Sequence, residues 1–108
     1  MSILIVEDSF SSRALLSKVL TSKGYSVIES ENGLQAWEIL QKQPVRLVLT
    51  DLTMPEMNGL DLCRNIRAAS FDSYIYVIVL TSKDGKNDLM DVFGAGADDY
   101  MTKPFDPQ

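Results

Sequence analysis

The sequence predicts an α/β fold in which one parallel sheet is wound with helices on both faces. Three observations carry this reading. Five short, β-branched apolar runs begin near residues 3, 25, 46, 74 and 97. Four segments with helical apolar spacing lie between them. The runs are almost continuously apolar, as strands buried on both faces must be. Strict strand–helix alternation then implies right-handed βαβ units feeding one sheet.

The elements follow in order. Ile3–Val6 opens the chain as a buried strand. Ser9, Ser11 and Ser12 come next, any of which can cap a helix. Leu15, Leu16, Val19 and Leu20 form its apolar stripe, and Gly24 stands where a helix C′ residue belongs. Tyr25–Glu29 is a second strand. Asn32 caps a helix carrying Ala36, Trp37 and Leu40, which must end before Pro44. Arg46–Thr50 is a third strand, followed by a loop over Asp51–Met57 that contains Pro55. Asn58 caps a helix with Leu62, Cys63 and Ile66 on one stripe. Tyr74–Leu80 has the strongest strand pattern. Asp84 starts a fourth helix with Leu89, Val92 and Phe93, closed by Gly94. Ala97–Met101 is a weaker fifth strand, and the two prolines in Lys103–Gln108 forbid regular structure there.

Composition removes several function classes. The chain has 108 residues, which suits a single domain spanning 1–108. Ten basic residues face 15 acidic ones, a net charge of −5, so the basic footprint of a nucleic-acid binder is missing. One cysteine excludes an internal disulfide and suits a reducing compartment. No histidine is present, which excludes a catalytic histidine, an imidazole zinc ligand and a phosphohistidine on this chain. The apolar start stops at Glu7-Asp8 with no basic residues before it, unlike a signal peptide. No apolar run approaches the ~20 residues a membrane-spanning helix needs. The expectation is a soluble cytoplasmic protein.

Open parallel sheets bind ligands beyond the carboxyl ends of their strands. Those ends carry Glu7-Asp8 after the first strand, Asp51 after the third, Thr81-Ser82 at the fourth and Lys103 after the fifth. If the first and third strands are neighbours, three carboxylates converge. Close anions repel strongly in a partly buried cleft. Lys103 supplies one positive charge, and the rest calls for a hard cation that prefers oxygen ligands, Mg²⁺ or Mn²⁺ in its place. A divalent ion, an ammonium and a hydroxyl around a carboxylate nucleophile are the equipment of phosphoryl transfer, with an acyl phosphate as product.

At these residues the sequence resembles the receiver domain of two-component response regulators, of the chemotaxis-regulator type. The matching stretches are Ile3-Leu-Ile-Val-Glu-Asp8, Leu49-Thr-Asp-Leu-Thr-Met-Pro55 with Asn58-Gly59, Val79-Leu-Thr-Ser82, and Gly94-Ala-Gly-Ala-Asp-Asp-Tyr100 through Lys103-Pro-Phe105. They span essentially the whole chain in receiver-like order and spacing, and together are far more specific than any one alone. The resemblance implies a flavodoxin-like sheet of strand order 2-1-3-4-5, an order known for a chemotaxis member of this family. It implies Asp51 as phosphoacceptor. Glu7, Asp8, Asp51 and the main-chain carbonyl of Thr53 would hold Mg²⁺. Lys103 would bridge to the phosphoryl group, and Thr81 would swing its hydroxyl onto it. Tyr100 would be the aromatic whose rotamer follows phosphorylation. Thr53 and Lys83 would tune the lifetime of the acyl phosphate, and the Lys103–Pro104 bond would be cis. A glutamate at the first acidic position lengthens the reach to metal by one methylene.

The resemblance also implies partners: a sensor histidine kinase or phosphotransfer protein acting in trans, and a C-terminal output domain. A rival reading, an Asp-nucleophile phosphohydrolase, wants a second aspartate two residues after the nucleophile, where this chain has Thr53. Other motifs fail. Gly94-Ala-Gly96 precedes a strand and lacks a third glycine, so it is no dinucleotide fingerprint. There is no P-loop lysine motif, and Asp84–Asp91 lacks the EF-hand pattern. Cys63 and Trp37 read as packing, and Glu31, Glu38 and Glu56 as solvated faces. Family members follow the Lys-Pro-Phe stretch with a fifth helix, absent from the 108 residues. The chain is therefore expected to be a fragment of a longer response regulator, or to have the exposed sheet face covered by another chain, a homodimer included.

Overall fold

The computed structural model describes residues 2–52, 57–81 and 89–102. Its elements run β1 (Ser2–Val6), α1 (Phe10–Ser22), β2 (Ser26–Ser30), α2 (Gly33–Lys42), β3 (Val45–Asp51), α3 (Gly59–Ala68), β4 (Tyr76–Thr81), α4 (Leu89–Gly94) and β5 (Asp99–Thr102). The five strands form one sheet in the order β2-β1-β3-β4-β5, parallel throughout. Each crossover is helical, so the doubly wound class expected from alternation is the one observed.

The two sheet faces carry separate cores. Leu4, Val6, Val48, Val77 and Val79 pack against Ala36 and Leu40 of α2, Leu62, Cys63 and Ile66 of α3, and Val92 of α4. Ile3, Ile5, Leu49 and Leu80 face the other way and pack on Leu16 of α1. Alternation along each strand sorts these two sets, because successive side chains point to opposite faces. Cys63 is wholly buried and Trp37 meets Phe71 edge-on at 6.0 Å between centroids, so both are packing residues as expected.

Caps fix three helix starts. The Ser9 hydroxyl accepts from Ser12 N–H at 3.4 Å, Asn32 Oδ1 from Gln35 N–H at 2.7 Å, and Asn58 Oδ1 from Asp61 N–H at 2.9 Å. Each satisfies an amide that the first helical turn leaves without a backbone partner.

The ends differ from expectation where side chains or caps take backbone groups out of the ladder. Helix α1 closes with Gly24 at φ 94°, Gly24 N–H on Thr21 O and Tyr25 N–H on Leu20 O. This six-to-one closure uses the amide of Tyr25, so β2 starts one residue later than expected. The same motif closes α4, but at Gly96 and not at Gly94. Gly96 has φ 105°, with Gly96 N–H on Phe93 O and Ala97 N–H on Val92 O, while Gly94 stays helical. Ala97 is thereby spent on the helix and β5 begins at Asp99. Strand β4 begins at Tyr76, not Tyr74. Arg67 from α3 takes Ile75 O at 2.7 Å and lies over the Tyr74 ring at 4.5 Å, holding both residues outside the ladder. The expected start of α4 at Asp84 lies outside the described residues, as does the stretch Lys103–Gln108. Asp51, expected as the first loop residue, is instead the last of β3, paired with Leu80. That difference positions the site.

Candidate functional site

Strand register brings the acidic residues together. Ile5 pairs with Leu49 and Val6 with Thr50, so Glu7 leaves β1 level with Asp51. On the other side Asp51 pairs with Leu80, which puts Thr81 one step further along β4. One carboxylate oxygen from each of Glu7, Asp8 and Asp51 can be chosen so that all three lie within 4.8 Å of one another. Glu7 is fully buried, Asp51 half-buried and Asp8 exposed, so the cluster is open to solvent on one side.

The backbone beneath these groups is held tightly. Glu7 N–H donates to Ser30 O at 3.1 Å, and the Ser30 hydroxyl donates to Ile5 O at 2.8 Å. The Arg13 guanidinium reaches back from α1 to Glu7 O at 2.8 Å and contacts the Glu29 carboxylate at 3.4 Å. Asp51 Oδ1 accepts Leu52 N–H at 2.8 Å, the same amide lying 3.2 Å from Leu80 O. Gly59 N–H takes Leu52 O at 2.9 Å. A carboxylate at the end of a central strand, backed by hydrogen bonds on both sides, is a preorganised anionic group.

Of the residues singled out from sequence, Glu7, Asp8 and Asp51 converge. Thr81 is buried, and its hydroxyl donates toward Met101 O on β5 at 3.4 Å. Tyr100 lies on β5 with its ring edge-on to Phe93 of α4, centroids 6.1 Å apart, and is 37% exposed. Thr53, Lys83 and Lys103 lie outside the described residues. Sequence reasoning missed Arg13 and Ser30. Arg13 did leave a signal: it stands three and seven residues before Leu16 and Leu20, on the apolar stripe of α1, where a cation needs a buried partner.

Three carboxylate oxygens this close make a donor set that could hold a hard positive ion. The donors are all oxygens, with no thiolate or imidazole, which suits an ion of the Mg²⁺ or Mn²⁺ type. The Glu7–Asp8–Asp51 cluster could hold such a metal.

Fold and site together define an α/β protein of the doubly wound class, with a cluster of carboxylates at the carboxyl ends of β1 and β3. The family model for the response regulator receiver domain matches residues 3–108, and the chain belongs to that family. It is 38% identical to a chemotaxis protein CheY homolog of Campylobacter jejuni over 110 residues, covering 100% of this chain and 85% of that protein. The chemotaxis response regulator CheY4 of Vibrio cholerae superposes with a TM-score of 0.90 at 28% identity, covering 98% of this chain and 88% of that one. The aerobic respiration control protein ArcA of Escherichia coli is 37% identical over 106 residues, covering 98% of this chain but 43% of ArcA. The chain is thus a signalling domain of two-component systems. Among the described residues no helix is long and apolar enough to cross a membrane.

Proposed function

We propose that Asp51 is the phosphoacceptor of this receiver domain and that Glu7, Asp8 and Asp51 hold Mg²⁺, with Mn²⁺ able to substitute. The observation that carries the reading is the convergence of three carboxylate oxygens within 4.8 Å, one of them at the end of a central strand. A bound divalent ion supplies positive charge against the phosphoryl oxygens. The chain's own residues do the rest. An Asp51 oxygen attacks phosphorus in line, the donor's bond to phosphorus breaks, and the leaving group departs with the electron pair. Leu52 N–H and the β3–β4 pairing hold the attacking carboxylate in orientation, which is most of what such a transfer asks of a protein. These 108 residues contain no histidine, so the phosphodonor lies outside them: a histidine kinase, a phosphotransfer protein or a small acyl phosphate.

Thr81 and Tyr100 serve as the switch pair in this reading. The Thr81 hydroxyl gives up its contact with Met101 O for a phosphoryl oxygen, and the packing of Tyr100 on Phe93 changes with it. Lys103 bridges to the phosphoryl group. The main-chain carbonyl of Thr53 completes the metal set, and the side chains of Thr53 and Lys83 set the acyl-phosphate lifetime. An output domain or partner protein reads the altered surface, as the greater length of ArcA allows.

The test is stoichiometric labelling. Acetyl phosphate with Mg²⁺ should place one base-labile phosphate per chain, abolished by EDTA and by Asp51→Asn. Rapid multiple turnover would instead favour a phosphohydrolase, and undiminished labelling of Asp51→Asn would remove Asp51 from its role.

A further inference from the structure

The β3–α3 connection leaves Asp51 and returns at α3, and its described ends are each tied down by the amide of a glycine that opens a helix. At one end Gly59 N–H takes Leu52 O at 2.9 Å, inside the connection itself. At the other, Gly33 N–H reaches across from α2 to Met57 O at 3.1 Å. The second contact is not local, since it joins the start of α2 to the connection that follows Asp51.

Gly33 owes nothing to its own backbone: its φ lies outside the left-handed region. As a helical residue it is poorer than alanine. Space is the reason for glycine. A Cβ at position 33 would lie 2.2 Å from Met57 O, 2.7 Å from Met57 Cβ and 2.9 Å from Met57 C. Two of the three are backbone atoms, which cannot rotate away. To reach ordinary contact, beginning at 3.4 Å, the α2 terminus and the connection must part by about 1 Å.

We propose that Gly33 is a positioning residue for the Asp51 site: its bare Cα lets α2 hold Met57 O and so fixes the described end of the β3–α3 connection that follows Asp51. The inference rests on the reading of Glu7, Asp8 and Asp51 as the metal and phosphoryl site. A shift of about 1 Å in a reacting constellation can cost on the order of a hundredfold in rate. Disturbing the residues behind metal ligands costs about ten- to a hundredfold in affinity.

The experiment compares the 108-residue wild type with Gly33→Ala and Gly24→Ala, reading Mg²⁺ affinity by titration calorimetry, Asp51 labelling by acetyl phosphate and unfolding by circular dichroism. Gly24→Ala is the stability control. Its φ of 94° strains an alanine, but a Cβ there meets nothing within 4 Å, and it lies away from the cluster. The expected result is Mg²⁺ affinity about tenfold or more weaker in Gly33→Ala. Labelling slows at least as much, while Gly24→Ala loses stability with both functions intact. Gly33→Ala that binds Mg²⁺ and labels like wild type overturns the inference and leaves the site reading standing. Wild type that neither binds Mg²⁺ nor labels overturns the site reading, and the inference falls with it. Should Gly33→Ala not fold, the wild-type Gly33 amide resonance decides. It should shift on Mg²⁺ addition while that of Gly24 stays put, and an unmoved Gly33 resonance refutes the role.

Discussion

Replacing Asp51 by asparagine should stabilise the metal-free domain. Three carboxylate oxygens lie within 4.8 Å of one another. At that separation and an effective dielectric of about 20, each like-charge pair costs about 3.5 kcal/mol. Asp8 is exposed and Asp51 half-buried, so solvent screening reduces this to about 1 kcal/mol per pair. Asp51→Asn removes two of the three pairs while keeping an Oδ1 to accept Leu52 N–H. Relief of these two pairs contributes about 2 kcal/mol, roughly 8 °C in Tm for a domain of this size, from which the loss of Asp51's other interactions is subtracted. Urea and thermal unfolding in EDTA at low salt measure it. Saturating Mg²⁺ should then erase the difference, because a ligand at a hundred times its Kd stabilises wild type by about 2.7 kcal/mol. Asp51→Asn that is less stable than wild type in EDTA would refute the reasoning, since Asp51's favourable interactions would then outweigh its repulsion by Glu7 and Asp8.

Arg13→Met keeps the aliphatic stem but loses the grip on Glu7 O, and Mg²⁺ affinity should fall about tenfold with the fold intact; unchanged calorimetric affinity would count against a role for Arg13. Asp98→Asn unpairs Arg67, whose guanidinium lies 2.6 Å from the Asp98 carboxylate with both side chains mostly buried, and should cost about 2 kcal/mol in urea unfolding. The same substitution tests a pH effect. Tyr74 donates its hydroxyl hydrogen bond to Asp98, which raises the phenol above its ordinary value of 10.0. A raised phenol contributes stability that is fully present below pH 10 and is lost as pH climbs through the folded-state value. In absorbance titration near 295 nm, Asp98→Asn should therefore move one tyrosine to lower pH; an unmoved profile would contradict the bond. Leu62→Ala empties a fully buried site between α3 and the sheet and should cost about 2–5 kcal/mol in chemical denaturation without altering labelling of Asp51 beyond that loss.

Much of the fold was legible because its signals are local. Asn32, Asn58 and Ser9 announce helix starts through side chains that bond amides three residues on. Near-continuous apolar runs announce strands buried on both faces, and their alternation with helices leaves few topologies. What misled was also physical. Gly94 and Gly96 read alike in sequence, but only Gly96 sits at the left-handed closing position of α4. Tyr74 and Ile75 have strand character, yet Arg67, eight residues earlier than Ile75, takes them out of the ladder. Among the site residues, Glu7, Asp8 and Asp51 were visible as carboxylates that follow strands. Ser30 and Gly33 were not, since each acts through a backbone carbonyl that no residue pattern marks, and Arg13 showed only as a cation on an apolar stripe.

The sequence by itself determined the class of fold, the acidic ligand chemistry and the exclusion of histidine, because these depend on residue type and short spacing. Only the tertiary structure decided that Asp51 ends a strand and that its oxygens share a 4.8 Å cluster with those of Glu7 and Asp8. It alone put the start of α2 against Met57. Parallel strands pair residues dozens of positions apart, and their register is set by two cores packing at once. That sum over many contacts is not written at any one position of the chain.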